Sequence, residues 1–476
     1  MIKKLKRTIL LFLAIILILL PSINIIFPIL FNTKRVFVLT FLCIIGLYIA
    51  CNKEQLSRIL KEFFLFNKKI SAGIMFIFIF GFISSVLSQY PVYGVLETAT
   101  YFLLFVGLFF FISLYRENSR IYEYGFLIII VGMVLLYFIR FIPSYINHYF
   151  IAGFPLFPSS DFLQLYSNGE PLYPEPFLGF INVRFLNHLH TWTMPILTWG
   201  IIRIPAKHWA LKYAGFFFLS FWWMLVFAAD ARGTMLATLT SVVITLLIFR
   251  RQILRWLKIH LGASFSGFIL YLVFFKFFRT GGRDLFRKKL TDQARPELWG
   301  DALELIAENP IFGVGPMHFA DYSYSFLAGN PHNIYLQIAS EWGLIVFIIL
   351  VIICVYGYSK WVKFCKSKSQ SEPNKSDSTE ITKLAALTAS MTSAAAHGFV
   401  SGIIYTPLTQ LIMIIVLGWV IGIYLNRVNT LTRVEIPKIY YYLSRIIIIA
   451  AVASTVIFSV HTYQKMNRIL YNTHQD

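Results

Sequence analysis

The sequence predicts an all-α polytopic membrane protein with about 12–13 transmembrane helices and two long loops on one side of the membrane. Of its 476 residues, 58% are apolar and only 13% are charged, a composition outside the usual range of soluble domains. Apolar runs of about 18 or more residues recur along the chain, and each is long enough to cross a bilayer as a helix. A soluble fold could not bury this many such runs.

Hydropathy predicts about thirteen spans. Their approximate cores are 8–31, 36–51, 72–88, 95–115, 122–146, 188–203, 209–229, 233–249, 260–278, 342–359, 384–404, 407–425 and 440–460. The first span has a basic start like a signal peptide. Its apolar region is longer than that of a signal peptide, and no small-residue cleavage site follows. We therefore interpret it as a retained transmembrane helix.

The short loops between the spans indicate the orientation of the chain. Every second loop is basic, as in KKLKR, RENSR and RRQILRWLK, whereas the alternate loops QYPVYG, ADARG and YTP are nearly uncharged. The positive-inside rule therefore predicts that the N-terminus and the basic loops face the cytoplasm. The same spread of basic residues accounts for the net charge of +20, so nucleic-acid binding is not indicated.

The chain divides into five predicted segments. They are N-terminal transmembrane helices at 1–146, a first long outer loop at 147–187, central transmembrane helices at 188–278, a second long outer loop at 279–341, and C-terminal transmembrane helices at 342–476. A low-complexity stretch at 361–383 is interpreted as a cytoplasmic linker. Loops longer than about 12–15 residues are usually functional or disordered, and the two outer loops lack the composition of disorder. We therefore expect the chemistry there.

The second outer loop contains a predicted short helix. Pro296 suits its first turn, and helical spacing separates an apolar face from an acidic face. The apolar face is Leu298, Ala302, Leu305 and Ile306, and the acidic face, interpreted as solvated, is Glu297, Asp301, Glu304 and Glu308. Arg295 lies at the start of this helix. It is either a surface arginine or a phosphate clamp, since a guanidinium binds phosphate oxygens in pairs.

The stretch GNPHNIYLQIASEWG holds one histidine, His332, before an apolar span. Asn330 is predicted to cap a helix that has His332 and Asn333 in its first turn and continues into the span. A histidine at a helix N-terminus stays neutral and able to act as a base. The free backbone N–H groups there suit a phosphate. A metal ligand and an interfacial histidine without a role remain alternatives.

Other outer polar residues have both structural and functional interpretations. Arg184 is the only Lys or Arg of the first outer loop, and a charge beside an apolar span is a functional candidate. Arg232 has Asp230 as a plausible structural partner. His188 and His190 are two residues apart, so on a helix they point in different directions, which does not favour a shared metal.

The basic run FRTGGRDLFRKKL, 278–290, follows the ninth predicted span. Its residues contact either ordinary lipid headgroups or the phosphates of a lipid substrate. The candidate substrate-binding residues here are Arg283, Arg287, Lys288 and Lys289. Cys43, Cys51, Cys354 and Cys365 have no disulfide or zinc spacing, so a structural metal is not expected.

Three segments, ADARGTMLATLTSVVITLL, ARPELWGDALELIAENPIFGVGPMHFA and PHNIYLQIASEWGLIVFIIL, occur in that order. Together they resemble the O-antigen ligase family, which shares its core domain with O-antigen polymerases and protein O-oligosaccharyltransferases. The resemblance is close over about 225–360. The upstream segment GFINVRFLNHLHTWTMP is similar to the matching part of ligase-like members.

This resemblance implies a GT-C-like, metal-independent and inverting membrane glycosyltransferase without a cofactor. The implied donor is a glycan on undecaprenyl diphosphate, and the implied acceptor is a sugar hydroxyl of lipid A-core at the periplasmic face of the bacterial inner membrane. The family's catalytic histidine corresponds to His332 and its arginines to Arg295, Arg232 and Arg184. Ala231 stands where serine is common. We expect these arginines to bind the diphosphate and His332 to accept the proton of the attacking hydroxyl. Asn333, in the same turn as His332, is a further candidate substrate-binding residue.

Three other functions remain open from sequence. An O-antigen polymerase or a protein O-oligosaccharyltransferase would use the same donor, and the basic run 278–290 favours a phosphorylated lipid acceptor over a protein. A transporter is disfavoured, because the polar residues are expected outside the spans, whereas transporters bind their substrates near the membrane midplane.

Overall fold

The computed structural model describes residues 14–15, 17–19, 30–65, 68–146, 183–277, 294–322, 329–371, 379–428 and 436–472. Within these ranges every regular element is helical, which confirms the all-α prediction. In chain order the helices are α1 (Leu30–Cys51), α2 (Lys53–Leu65), α3 (Lys68–Leu87), α4 (Pro91–Glu117), α5 (Ser119–Ile146), α6 (Val183–Arg203), α7 (Trp209–Ala228), α8 (Arg232–Phe249), α9 (Leu254–Tyr271), α10 (Ala294–Glu308), α11 (Phe319–Tyr322), α12 (Ile334–Trp342), α13 (Leu344–Ser371), α14 (Thr379–Gly398), α15 (Pro407–Val428) and α16 (Lys438–Asn472).

Nine helical segments of the described chain are long and apolar enough to cross a membrane. They are Lys34–Cys51, Lys68–Leu87, Pro91–Glu117, Ser119–Pro143, Trp209–Ala228, Arg232–Phe277, Leu344–Ser371, Pro407–Arg427 and Lys438–Val460. The segment Arg232–Phe277 joins two predicted spans through one 3-10 turn and ends in a π-helical stretch. The chain is therefore a multi-pass membrane protein.

Two predicted spans, 188–203 and 384–404, correspond to α6 and α14, which are not among these nine segments. Both helices are almost fully buried and carry Ser, Thr and His side chains, so their hydropathy is lower. The expectation that polar residues lie outside the helices is thus wrong for α6 and α14. The second helix also ends at Gly398, earlier than predicted.

The chain divides into two compact units, and α1, α5, α13 and α15 contribute residues to both. Unit 1 comprises Met1–Arg35, Arg120–Asp292 and Lys360–Val416, and unit 2 comprises Val36–Ser119, Gln293–Ser359 and Leu417–Asp476. In unit 1, α14 packs against α6 and α8, and α9 packs against α7. Small residues on α14, such as Ala385, Ala386 and Ala389, are buried and allow close helix approach.

Charged side chains in unit 1 are paired at the C-terminal end of α6. Glu123 accepts hydrogen bonds from Arg203 Nη1 at 3.0 Å and from Lys383 Nζ at 2.9 Å. Lys383 also contacts Glu380 at 2.7 Å. Pairing of this kind offsets the large cost of removing charges from water, so this cluster ties the starts of α5 and α14 to the end of α6.

In unit 2, α4 is the central helix and packs against α3 and α16. Gly418 and Gly422 of α15 lie directly against Phe111 and Tyr115 of α4, where a Cβ atom would approach to 2.7 and 2.6 Å. The amphipathic helix α2 buries Leu56, Ile59 and Leu60, among other residues.

The predicted loops and linker are only partly described. The described end of 147–187 is the first turn of α6, and most of 279–341 is described as α10 to α12 and their connections. The predicted linker 361–383 is helical up to Ser371 and again from Thr379. It is therefore shorter than predicted, because the Lys- and Ser-rich sequence continues α13.

Candidate functional site

The described part of the predicted second outer loop forms a small lobe in unit 2, which we call the His332 lobe (residues 294–322 and 329–343). As predicted, its first helix, α10, places apolar residues inward and acidic residues outward. The lobe has its own core of Leu298, Ala302, Leu305, Val314 and Phe319, with Tyr322 and Leu336 packed against it. This core joins α10 to α12 and holds the turn that carries His332.

His332 lies immediately before α12. Its backbone N–H donates to Asn330 Oδ1 at 2.9 Å, and its φ of 53° is in the left-handed region. The N-cap of α12 is Asn333, whose side chain accepts from Tyr335 N and Leu336 N at 3.0 and 3.2 Å. The prediction that Asn330 caps the helix and that His332 sits in its first turn is therefore wrong. The better cap is Asn333, because its side chain satisfies two free backbone N–H groups.

A left-handed φ is unusual for histidine and costs about 1–2 kcal/mol relative to the right-handed conformation. Such outliers persist where the surroundings determine the backbone, and they cluster at functional sites. Here Asn330 and Asn333 fix the backbone on both sides of His332. The backbone of His332 is thus fixed relative to the start of α12, and its side chain is half-buried.

Arg295 belongs to the same lobe. It lies one helical turn before Trp299 on the same face of α10, and Trp299 Nε1 donates to Pro331 O at 3.1 Å. Pro331, which precedes His332, is therefore hydrogen-bonded to the face of α10 that carries Arg295. Arg295 and His332 thus belong to the same small folded element.

The connection between α10 and α12 is fixed by backbone hydrogen bonds. Val314 N donates to Ser340 O at 2.9 Å, Gly315 N to Glu341 O at 3.0 Å and Leu344 N to Pro310 O at 2.9 Å. Gly343, with φ of 84°, separates α12 from α13, and a Cβ atom there would lie 2.0 Å from Ile311 O. The predicted continuous helix from His332 into the next span is therefore broken at Gly343.

His318 attaches this connection to the turn between α3 and α4. Its Nδ1–H donates to Pro316 O at 2.7 Å, and its Nε2 accepts from Tyr90 N at 3.1 Å. Ser84 Oγ of α3 also donates to Phe312 O at 2.6 Å. In this arrangement Nδ1 is the donor and Nε2 is the acceptor. They fix the lobe to α3 and α4 within unit 2.

Glu341 is a buried carboxyl on α12, 4% exposed. Burial raises its pKa to about 8, and the nearby Glu97 adds to this, while hydrogen bonds from backbone N–H groups of Met317 and Phe319 and from Gln337 lower it. The distance from Phe319 N to Glu341 Oε1 is 3.3 Å. Near neutral pH this carboxyl is therefore mostly protonated.

Unit 1 carries two further candidates, Arg184 and Arg232. Arg232 begins α8, its side chain is 46% exposed, and its Nε lies 3.3 Å from Oδ1 of the buried Asp230. This confirms the predicted pair. Asp230 has φ of 50°, a conformation that aspartate tolerates better than most residues, and it makes the tight turn between α7 and α8.

Arg184 and Arg232 lie at the same end of unit 1. Arg184 is one turn before His188 on α6, and the His188 ring lies 5.2 Å from the His397 ring. His397 Nε2 in turn lies 3.3 Å from where a Cβ atom at Gly233 would be, next to Arg232. We call the four residues Arg184, His188, Arg232 and His397 the arginine end.

Buried hydroxyls hold the two histidines of the arginine end. His188 Nε2 lies 2.6 Å from Ser401 Oγ and its Nδ1 lies 3.2 Å from Thr406 Oγ1. His397 Nδ1 lies 2.8 Å from Thr191 Oγ1. His190, by contrast, contacts the Trp222 ring at 4.3 Å, which confirms that His188 and His190 point in different directions.

Four predicted substrate-binding residues, Arg283, Arg287, Lys288 and Lys289, lie outside the described residues. In the described ranges, no group of three or more His, Cys, Asp or Glu side chains is arranged to hold a metal ion. Sequence reasoning missed Glu341, His318 and His397. The sequence contains one indication of Glu341, because it is the one acidic residue in the largely apolar stretch IYLQIASEWG. It contains none for His318 and His397, whose partners are distant in sequence.

Residues 215–351 match the family model described as O-antigen ligase. No curated protein matches the chain. The match contains Arg232, Arg295 and His332 but begins after Arg184. Family members are glycosyltransferase-like enzymes, and the family includes ligases, polymerases and oligosaccharyltransferases that use lipid-linked glycans.

Proposed function

Residues 215–351 form a domain of the O-antigen ligase family, and from this premise we propose that the chain is an O-antigen ligase. It transfers a glycan from undecaprenyl diphosphate to a sugar hydroxyl of lipid A-core and so forms lipopolysaccharide. The observation that carries the proposal is the His332 lobe, in which Arg295 and a histidine with a fixed backbone lie in one small folded element inside the matched region.

His332 is the general base. It accepts the proton of the acceptor hydroxyl as that oxygen attacks the anomeric carbon, a contribution of about 10²–10⁴-fold to the rate. The left-handed backbone of His332 and the bond from its N–H to Asn330 support this role, because a base must be held within hydrogen-bond reach of its proton. Asn333, the cap of α12, keeps that turn in place.

The arginines bind the diphosphate and stabilise the charge that develops on it. As the bond between the anomeric carbon and the diphosphate oxygen breaks, negative charge accumulates on that oxygen, and each guanidinium aimed at it is worth about 3–4 kcal/mol. Arg295, Arg184 and Arg232 supply these guanidinium groups. Asp230 orients Arg232 through the 3.3 Å contact.

The reaction is a single displacement. The acceptor oxygen bonds to the anomeric carbon from the side opposite the diphosphate, which leaves as undecaprenyl diphosphate, so the anomeric configuration inverts. Because the leaving diphosphate is stabilised by guanidinium groups, the mechanism needs no metal ion. Contacts from Arg283, Arg287, Lys288 and Lys289 to lipid phosphates hold the substrate lipids near the membrane surface.

The positive-inside rule supports a cytoplasmic N-terminus and a periplasmic site in the bacterial inner membrane. The basic loops lie on the side of the N-terminus, and the His332 lobe follows a span that ends on the opposite side. This placement suits a donor that is presented at the periplasmic face.

A deletion strain tests the proposal. A ligase predicts bare lipid A-core together with accumulated long undecaprenyl-linked polymer, and expression of the chain in trans restores polymer-bearing lipopolysaccharide. Core that carries single repeat units indicates a polymerase instead. Loss of protein glycosylation with normal lipopolysaccharide indicates a protein O-oligosaccharyltransferase, and either result overturns the ligase assignment.

A further inference from the structure

A buried hydrogen bond orients the ring of His397 at the arginine end. Its Nδ1 lies 2.8 Å from Thr191 Oγ1, and the Thr191 hydroxyl donates its one proton to Asn187 O at 3.0 Å. Because that proton is already used, the Thr191 oxygen accepts from His397, and Nδ1 is the donor. The side chain of Thr191 on α6 therefore determines which nitrogen of His397 faces α6 and which faces away.

The opposite edge of the His397 ring faces the start of α8. Its Nε2 and Cδ2 lie 3.3 and 3.4 Å from where a Cβ atom at Gly233 would be. A larger side chain there would press on the ring, so glycine permits the close approach. Gly233 follows Arg232, the first residue of α8. His397 Nε2 therefore lies beside the first turn of α8, next to the backbone of Arg232.

The first turn of α8 is suited to an anion. Ala231 at the N-cap makes no side-chain hydrogen bond to this turn of the 18-residue helix, and backbone N–H groups at a helix start favour a phosphate. In the same turn, Thr234 Oγ1 is buried and has no hydrogen-bond partner among the described residues. Buried hydroxyls usually have a partner, and a phosphate oxygen is a suitable acceptor.

His188, the other histidine of the arginine end, has a different part. Its Nε2 and Nδ1 both contact hydroxyls, those of Ser401 and Thr406, and its ring packs edge-on against the His397 ring at 5.2 Å. His188 therefore helps to hold the His397 ring in place, whereas His397 is the histidine that directs a nitrogen to the start of α8.

His397 can donate from both ring nitrogens when a phosphate is bound. It lies in the last turn of α14, where the negative end of the helix dipole suits a cation, and a bound phosphate adds a second negative charge nearby. A protonated imidazole has two N–H donors. One of them keeps the bond to Thr191, and the other, on Nε2, donates to the phosphate.

We propose that His397 is a further donor-binding residue, whose Nε2–H donates to a phosphate oxygen of the lipid diphosphate at the start of α8, beside Arg232. The identity of the lipid rests on the proposed function, whereas the phosphate site rests on the contacts of His397 and on the first turn of α8. His397 is 5% exposed and supplies a donor at a fixed position. Arg232, whose side chain is 46% exposed, adjusts around it.

Two substitutions separate this role from a purely structural one. In His397→Asn, the side-chain amide lies near the position of Nδ1 and keeps a donor for Thr191, but no atom reaches the position of Nε2. In His397→Gln, the amide reaches the position of Nε2 and donates there, but the bond to Thr191 is lost. Phosphate binding therefore predicts the larger loss in His397→Asn. A role limited to holding α14 against α6 predicts the larger loss in His397→Gln.

Native mass spectrometry of the full-length protein in phosphatidylcholine nanodiscs measures the affinity for undecaprenyl diphosphate. We expect His397→Asn to bind it about tenfold more weakly than wild type, because a charge-assisted hydrogen bond is lost, and His397→Gln to remain within about threefold. Undecaprenol, which lacks the diphosphate, is the control probe. It should bind equally to all three proteins, which also shows that the variants are folded.

Inorganic diphosphate is the second probe, because it shares the phosphate chemistry but lacks the lipid. It should show the same loss of about tenfold in His397→Asn and should bind more weakly than the lipid does. Binding at least as tight as that of the lipid assigns the site to a free anion and overturns the donor role. Equal affinity of wild type and His397→Asn for undecaprenyl diphosphate, or a larger loss in His397→Gln than in His397→Asn, overturns the proposal.

Glycan transfer tests the proposed function separately. If wild type binds undecaprenyl diphosphate but transfers no glycan to lipid A-core, the ligase assignment fails, and the order of affinities still decides the role of His397. If wild type binds undecaprenyl diphosphate no more tightly than undecaprenol, the role of His397 is overturned whatever the chain transfers.

Discussion

The His332 lobe and the arginine end carry their candidate groups by different physical means. The lobe is short and is held by backbone hydrogen bonds, left-handed residues such as His332 and Gly343, and a small apolar core. The arginine end lies on long buried helices, where hydroxyls hold the rings of His188 and His397. Adding one methyl group should therefore destabilise the lobe more than the arginine end.

This difference suits the two proposed tasks. A general base needs its proton within hydrogen-bond reach, so small displacements of His332 are costly. Arginines that bind a diphosphate act through charge and through long side chains, and an arginine such as Arg232, with a 46% exposed side chain, retains room to adjust. Each of the following variants tests the role proposed for one of these two regions.

The largest effect is expected from His332→Asn. Asparagine tolerates the left-handed backbone, so the lobe should fold, but the base is lost and the transfer rate should fall by about 10²–10⁴-fold. Transfer of glycan to lipid A-core by purified protein gives the rate, and hydrogen exchange of the lobe gives the fold. A variant that transfers at the wild-type rate removes His332 from the chemistry.

Arg295→Lys should lower the transfer rate by about 10²–10³-fold, because an ammonium cannot reproduce the paired contacts of a guanidinium with phosphate oxygens. Arg232→Lys provides the comparison from the arginine end and should mainly weaken donor binding. Rates measured over a range of donor concentrations separate the two outcomes. If Arg295→Lys keeps full activity, Arg295 is a simple charge rather than a clamp.

The sequence predicted the helical class, the acidic and apolar faces of α10 and the pairing of Arg232 with Asp230, because each depends on residues close together in the chain. It failed at His332, where a one-residue choice between Asn330 and Asn333 as the cap depends on the backbone conformation. Glu341 and His318 were missed, since their environments are made by Glu97, Tyr90 and other residues distant in sequence. Hydropathy likewise could not indicate that α6 and α14 are buried in protein.

Gly343→Ala should destabilise the His332 lobe. Alanine at a φ of 84° is strained, and its Cβ would meet Ile311 O at 2.0 Å, so we expect a loss of more than about 2 kcal/mol of local stability. Faster hydrogen exchange of residues 310–322 measures this. Gly300→Ala is the matched control in the same lobe, because no atom lies within 4 Å of the added Cβ. It should be neutral or stabilising by up to about 1 kcal/mol.

Gly233→Ala perturbs the arginine end more mildly. The added Cβ would lie 3.0 Å from Val400 Cγ2 and 3.3 Å from His397 Nε2, so these side chains must shift by a few tenths of an ångström. We expect donor binding to weaken about two- to fivefold, equivalent to less than about 1 kcal/mol, with little change in the maximal rate. A loss of donor binding of more than about 2 kcal/mol, as large as the loss of local stability expected for Gly343→Ala, would contradict the difference between the two regions.

The smallest effect is expected from metal removal. EDTA should leave the transfer rate of the purified protein unchanged, because the arginines supply the positive charge for the leaving diphosphate. Inhibition that a divalent metal reverses would contradict the assignment of this role to Arg184, Arg232 and Arg295.

The central claim is that His332 performs chemistry while the arginines bind the donor. Its most direct test measures donor affinity and transfer rate in the same nanodisc samples of wild type and His332→Asn, with an undecaprenyl diphosphate-linked glycan as the probe. The account predicts equal affinity for the donor and a transfer rate at least about 100-fold lower in His332→Asn. A transfer rate within tenfold of wild type at equal donor occupancy would contradict it.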